Sequence, residues 1–138
     1  MSRYVLDTSV AVAWYLPEAF SEPARTWQSR MIEERVHLVV PTLHYWEFAN
    51  VLRTHVRGRT LDAQLAQDIW ALHLDAPLEL VEPPAEAVLR VALDAGTTAY
   101  DAVYIALATE LDVPLLTAER PSTPWLKHLG KRVQSILR

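Results

Sequence analysis

A chain of 138 residues, 51% hydrophobic and 22% charged, has the size and composition of one globular domain, expected here to span residues 1–138. It contains no cysteine, which excludes disulfides and thiolate-held metals, so a bound metal would need oxygen or imidazole ligands. The net charge of −4 argues against a phosphate-rich partner, although two basic clusters run the other way: Arg53-Thr54-His55-Val56-Arg57-Gly58-Arg59, and Lys127, His128, Lys131 and Arg132.

Those clusters read equally well as solvated helix ends. Nothing approaches the roughly 20 apolar residues of a membrane span, so no membrane partner is expected. The first residues reach Arg3 and Asp7 too early for a secretory leader, and the expected compartment is the cytoplasm.

In chain order, residues 3–6 read as a short buried strand that ends at Asp7. Ser9 is positioned to cap a short helix over 10–16, stopped by Pro17. A helix is expected over 22–35, then a β-branched strand over 37–40 closed by Pro41. Thr42 caps the next helix, which runs to about Arg57 with Tyr45, Phe48, Ala49, Leu52 and Val56 on one face. Gly58 stands at its C-terminal stop.

A further helix starts at Thr60 and fades before Pro77, and a strand follows over 78–81. Residues 85–95 form a helix closed by Gly96. Thr98 opens a helix over 99–111 that is apolar nearly all round and therefore buried. A strand over 113–117, a last helix from Thr123-Pro124 and a short strand over 132–136 complete the chain. Strands alternating with helices predict an α/β fold with a mostly parallel sheet flanked by helices.

Ligands of open parallel sheets bind beyond the carboxyl ends of the strands. Asp7 directly follows the first strand, Glu119 lies just past the 113–117 strand, Asp101 sits in the first turn of the buried helix and Glu47 in the second turn of the Thr42 helix. All four are placed to converge on one sheet edge. At about 4 Å and an effective dielectric near 20, each like-charge pair costs roughly 4 kcal/mol, so such a cluster shares protons or binds a cation. Oxygen ligands suit a hard ion, Mg²⁺ or Mn²⁺, which activates water and stabilises charge on a phosphoryl group. Metal-assisted phosphodiester hydrolysis is the chemistry this points to.

Each carboxylate also has a plainer reading. Asp7-Thr8-Ser9 suits an ordinary turn, and Glu47 an exposed helix position, although it lies beside the apolar face with Asn50 one turn away as a supporting group. Asp101 with Thr98 resembles a capping box, and Glu119 an ion pair with Arg120. The five histidines, 37, 44, 55, 73 and 128, lack ligand spacing and read as structural or surface residues. Most of the five tryptophans read as core; Trp14 and Trp46, beside the first two acidic stretches, read as packing residues with RNA-base stacking as the alternative.

Tyr4-Val5-Leu6-Asp7-Thr8-Ser9-Val10, then Pro41 with Glu47 and Asn50, then Tyr100-Asp101-Ala102-Val103-Tyr104-Ile105-Ala106-Leu107-Ala108, then Leu115-Leu116-Thr117-Ala118-Glu119 together resemble the four motifs of PIN-domain ribonucleases, in particular VapC-type toxins of toxin–antitoxin pairs. The likeness covers nearly the whole chain. It implies a PIN-like three-layer fold and an Mg²⁺- or Mn²⁺-dependent endoribonuclease. It implies Asp7, Glu47, Asp101 and Glu119 as catalytic metal-site residues, with Thr8, Ser9, Asn50 and Thr117 as polar supports. Arg53, Arg57 and Arg59 are candidates for contacts to RNA phosphates. An RNA substrate, a homodimer and a small antitoxin partner are implied as well.

Glu119 departs from the pattern, which usually has Asp there, and residues 120–124 depart from the usual form. The alternatives kept open are a catalytically weak PIN-like domain that binds RNA or protein, an RNA-processing nuclease, and a phosphatase with an aspartyl nucleophile. Ser9 stands where such a phosphatase wants its second acid.

Overall fold

The computed structural model describes residues 2–137, leaving Met1 and Arg138 outside the description. The elements in order are β1 (Ser2–Leu6), α1 (Thr8–Val12), α2 (Ser21–Ile32), β2 (Val36–Val40), α3 (Thr42–Arg57), α4 (Ala63–Leu74), β3 (Glu79–Leu80), α5 (Ala85–Ala95), α6 (Ala99–Leu111), β4 (Leu115–Thr117), a 3-10 helix at Pro124–Leu129 and β5 (Val133–Ser135). The strands form one five-stranded sheet in the order β3-β2-β1-β4-β5. Every pairing is parallel, so the sheet is fully and not merely mostly parallel.

The period of two along each strand builds the three layers. Leu6, Leu38, Val40 and Leu116 point into one core, covered by α1 to α4 with Phe48 and Leu52. Val5, Val39 and Leu115 point into the other, covered by Tyr104, Ile105, Leu107 and Ala108 of α6. The helix over 99–111 is buried along most of its middle, as its composition predicts. The chain adds β2 and β3 on one side of β1 and then β4 and β5 on the other, so the strand order reverses between β1 and β4. That is the crevice where open parallel sheets bind ligands.

Several local expectations are corrected. α1 begins at Thr8, with Asp7 rather than Ser9 at the N-cap position, and is shorter than the expected 10–16. The backbone N–H of Asp7 is tied to the Leu116 carbonyl at 2.9 Å, which fixes where the strand ends and the helix starts. Thr42 lies inside α3; its N–H and hydroxyl both donate to Glu82, at 2.6 Å each. α4 is capped by Asp62, whose carboxylate accepts from the Gln64 and Leu65 N–H groups, while Thr60 turns back to His55. The last helical stretch is 3-10, not α.

Gly96 ends α5 at φ +63°, and nothing lies near the position a Cβ would take. Its replacement therefore costs backbone strain alone. Gly96→Ala should lower stability by about 1 kcal/mol, read as a melting shift of roughly 4 °C, with the fold intact by circular dichroism.

Candidate functional site

Asp7 leaves the end of β1 into the crevice and is partly buried there. The Thr117 hydroxyl, at the end of the neighbouring β4, donates to its Oδ2 at 2.8 Å. The Ser9 N–H lies close enough to favour the anion, although no cap bond forms. These donors are outweighed. Burial above all, with the charges of Glu47 and Glu119 adding to it, pushes the Asp7 carboxyl up from 3.8 to about 6.

Thr117 also accepts the Glu119 N–H at 3.0 Å, so one hydroxyl ties the backbone of Glu119 to the carboxylate of Asp7. The Glu119 side chain is exposed, and its Oε2 accepts from Thr123 at 3.3 Å. Among the described residues it makes no ion pair with Arg120.

Glu47 reaches the site from α3. Its Oε1 accepts from the Thr8 hydroxyl at 2.9 Å and from the Tyr104 hydroxyl at 2.5 Å. Burial and the Glu47 charge hold the Tyr104 phenol far above its ordinary value, so it stays protonated and remains a donor. Asp101 lies one turn before Tyr104 on α6. Only half of its capping box forms: the Asp101 N–H donates to Thr98 at 3.1 Å, while its carboxylate accepts from Thr97 at 2.7 Å and does not turn back to the Thr98 backbone.

The fields of Asp7, Glu47 and Glu119 overlap, whereas Asp101 is not among the charges that raise Asp7. Among the described residues no group of three or more His, Asp or Glu side chains stands ready-made to hold a metal ion. Two observations nevertheless fit a hard cation. The donors around Asp7 are carboxylate and hydroxyl oxygens, and Ser9 Oγ is buried beside Asp7 with no hydrogen-bond partner among the described residues. An unmet buried hydroxyl costs about 1–3 kcal/mol, which a ligand of that oxygen would recover. Asp7, Thr8, Ser9, Glu18, Phe20 and Glu47 line a cavity of about 350 Å³ that such a ligand would enter.

The remaining candidates lie further out. Asn50 is exposed and its side chain makes no hydrogen bond among the described residues. Arg53 and Arg57 line a separate groove of about 330 Å³ between α3 and α4, floored by Leu52, Val56, Ala66 and Trp70. Arg59 follows α3 at φ +61° and is exposed. Trp14 is core, its indole N–H bonded to the Ala24 carbonyl at 2.9 Å, while Trp46 is 61% exposed. Sequence reasoning missed Tyr104, Thr97 and the buried pair His44 and His73, which touch each other at 2.8 Å. No local pattern announces groups that meet only in the folded chain.

A PIN domain matches over residues 4–120. Ribonuclease VapC3 of Pyrobaculum aerophilum is 30% identical over 122 residues, covering 86% of this chain and 90% of that protein. Exonuclease VapC9 of the same organism is 32% identical over 91 residues, 66% of this chain and 68% of that protein. Two solved structures share the fold. PAE2754 from Pyrobaculum aerophilum aligns with a TM-score of 0.73 at 24% identity, over 96% of this chain and 83% of the other. VapBC2 from Rickettsia felis, bound to a DNA fragment from its promoter, aligns with a TM-score of 0.66 at 11% identity, over 96% and 98%.

The raised Asp7 carboxyl sets the sign of a pH effect. Below about pH 4 the group is protonated whether folded or unfolded and carries no penalty; as pH rises through 6 the native protein must bear a disfavoured anion. Without added metal, Asp7→Asn should therefore be more stable than wild type above pH 7, by about 1–2 kcal/mol after allowing for the partial exposure of the carboxylate. Chemical denaturation across pH 4 to 8 should show that advantage shrinking to zero at the acid end.

Proposed function

Because this chain belongs to the PIN-domain family, we propose that it is a metal-dependent endoribonuclease, the toxin component of a toxin–antitoxin pair, with residues 1–138 as its one nuclease domain. The observation that carries the reading is the cavity at the strand-order reversal where Asp7 and Glu47 meet beside the unpartnered Ser9 hydroxyl, with burial and the Glu47 and Glu119 charges raising the Asp7 carboxyl. A site that disfavours its own anion is a site that a cation stabilises.

Asp7, Glu47 and Asp101 are the residues that would hold Mg²⁺ or Mn²⁺, with Glu119 at the margin through its longer, exposed side chain. When bound, such an ion supplies a nucleophilic water and neutralises charge developing on the phosphoryl group. The chain's own residues do the positioning. Thr117 orients Asp7, Thr8 and Tyr104 hold Glu47, and Ser9 offers an unused hydroxyl at the same place. Asn50 is a reserve polar group on the same helix as Glu47. Arg53 and Arg57 lie along α3 beyond Glu47, about 9 Å or more up the axis, and Arg59 follows the helix end; all three are available to the phosphates of an RNA that extends past the cut.

The groove beside Arg53 and Arg57, apolar on its floor and basic at its rim, suits an apolar and acidic segment of a small antitoxin. Leu89 and Leu93, one turn apart on α5 and 66% and 74% exposed, supply an apolar stripe suited to a homodimer. Among the described residues no helix is long and apolar enough to cross a membrane.

A second reading, a PIN-like domain that binds RNA or protein without cutting, is favoured by the exposure of Glu119 and the lack of a ready-made carboxylate group. One assay separates the two. Purified protein with Mg²⁺ or Mn²⁺ should cut single-stranded RNA internally. Asp7→Asn, Glu47→Gln and Asp101→Asn should each lose roughly 100-fold, the scale on which a single electrostatic stabiliser acts. Undiminished cleavage by both aspartate variants would sink the assignment, and Mn²⁺-independent RNA binding without cleavage would establish the binding module.

A further inference from the structure

Behind Glu47 a line of polar groups crosses the apolar packing of α1, α3 and α4. Thr8 Oγ1 lies 3.1 Å from His44 Nδ1, His44 Nε2 lies 2.8 Å from His73 Nε2, and His73 Nδ1 lies 3.0 Å from the Tyr15 hydroxyl. Both rings are fully buried. The His73 ring is stacked on Phe48 with centroids 4.0 Å apart and planes 15° from parallel, so it has little freedom to turn.

Proton counting gives this line a direction. Glu47 Oε1, Thr8 Oγ1 and the Tyr104 oxygen lie within 2.5–2.9 Å of one another. Three oxygens that close, one of them a carboxylate, need two protons among them, and Thr8 and Tyr104 carry one each. If Thr8 gave its proton to His44, one proton would have to hold all three oxygens together. The Thr8 proton is therefore committed to the carboxylate side, and His44 Nδ1 must donate to Thr8.

Burial pushes His44 down to about 3 and His73 to about 4, so at neutral pH each ring carries a single proton. With the proton of His44 on Nδ1, its Nε2 is an acceptor, and His73 must donate from Nε2. His73 Nδ1 is then bare and accepts from Tyr15. Every group in the line is satisfied in this order. The reverse order leaves the Tyr15 proton without this partner and removes a donor from Glu47.

We propose that Tyr15, His73 and His44 are positioning residues, a one-way hydrogen-bond chain that fixes Thr8 as a donor to Oε1 of Glu47. Its effect is to saturate one carboxylate oxygen and leave Oε2, which accepts no hydrogen bond among the described residues, as the free ligand atom of Glu47. The value of Glu47 to the site rests on the function proposed above; the direction of the chain does not.

The direct test is a long-range ¹H–¹⁵N correlation spectrum of the ¹⁵N-labelled full chain at neutral pH. The expected result is a proton on Nδ1 of His44 and on Nε2 of His73. A proton on Nε2 of His44 overturns the proposal. Its functional consequence is read in two variants. His44→Phe keeps the ring volume but removes both nitrogens; His44→Asn leaves a cavity but keeps an amide donor near the position of Nδ1.

His44→Phe should lower kcat for RNA cleavage by about tenfold or more, as loss of a partner behind a ligating group does, with KM nearly unchanged. His44→Asn should recover part of kcat despite the lower stability expected from its cavity. Activity that simply follows stability, with the phenylalanine variant the better enzyme, would contradict a positioning role. Wild-type protein that cleaves no RNA would count against the nuclease reading while leaving the tautomer result standing.

Discussion

Asp7 carries a negative charge at the carboxyl end of the central strand, where solvent is scarce and two further carboxylates act on it. Much of the local structure can be understood as a response to that charge. Thr117 gives it a hydroxyl from the adjacent strand, and the first turn of α1 turns an N–H toward it. Neither suffices to bring the group back to its ordinary acidity. A protein that keeps a group in this condition gives up stability at neutral pH, a common feature of sites built for a charged ligand.

Strand order makes this arrangement possible. With β1 between β2 and β4, the residues after three parallel strands open onto one edge. The chain after β2 enters α3 and brings Glu47; the chain after β4 brings Glu119; α6, packed across β1 and β4, brings Tyr104. The two cores on either side of the sheet hold these elements in register. Burying each Leu or Phe of those cores contributes roughly 1.5–3 kcal/mol, enough to offset a site that works against folding. The polar line through Thr8, His44, His73 and Tyr15 extends the site into the α1–α4 core, where aromatic packing replaces backbone structure as its support.

What the sequence made legible follows from where the information lies. A charge abutting an apolar strand, as at Asp7, and a helix apolar on every side, as at 99–111, are local patterns, and both appear in the structure as read. The capping signal at Thr98 was real, yet Asp101 used only its backbone half because Thr97 competed for the carboxylate. Cap assignments failed where neighbouring polar residues were chemically equivalent: Asp7 against Ser9, and Asp62 against Thr60. The pairings of His44 with His73, 29 residues apart, and of Tyr104 with Glu47, 57 apart, are set by helix packing and leave no periodic trace. The histidines read as structural or surface residues, and His44 and His73 are buried in the core, but spacing could not reveal that these two face each other there.

Burial and the neighbouring carboxylates hold the Asp7 carboxyl above its ordinary range, and a bound cation would reverse that. Calorimetric titration with Mn²⁺ in buffers of different ionisation enthalpy counts the protons released on binding. With the carboxyl at about 6, binding at pH 5.5 should release most of one proton, binding at pH 8 almost none, and Asp7→Asn should abolish the release. Mn²⁺ binding with the same proton release in Asp7→Asn as in wild type would contradict the claim that this carboxylate is the centre of the site.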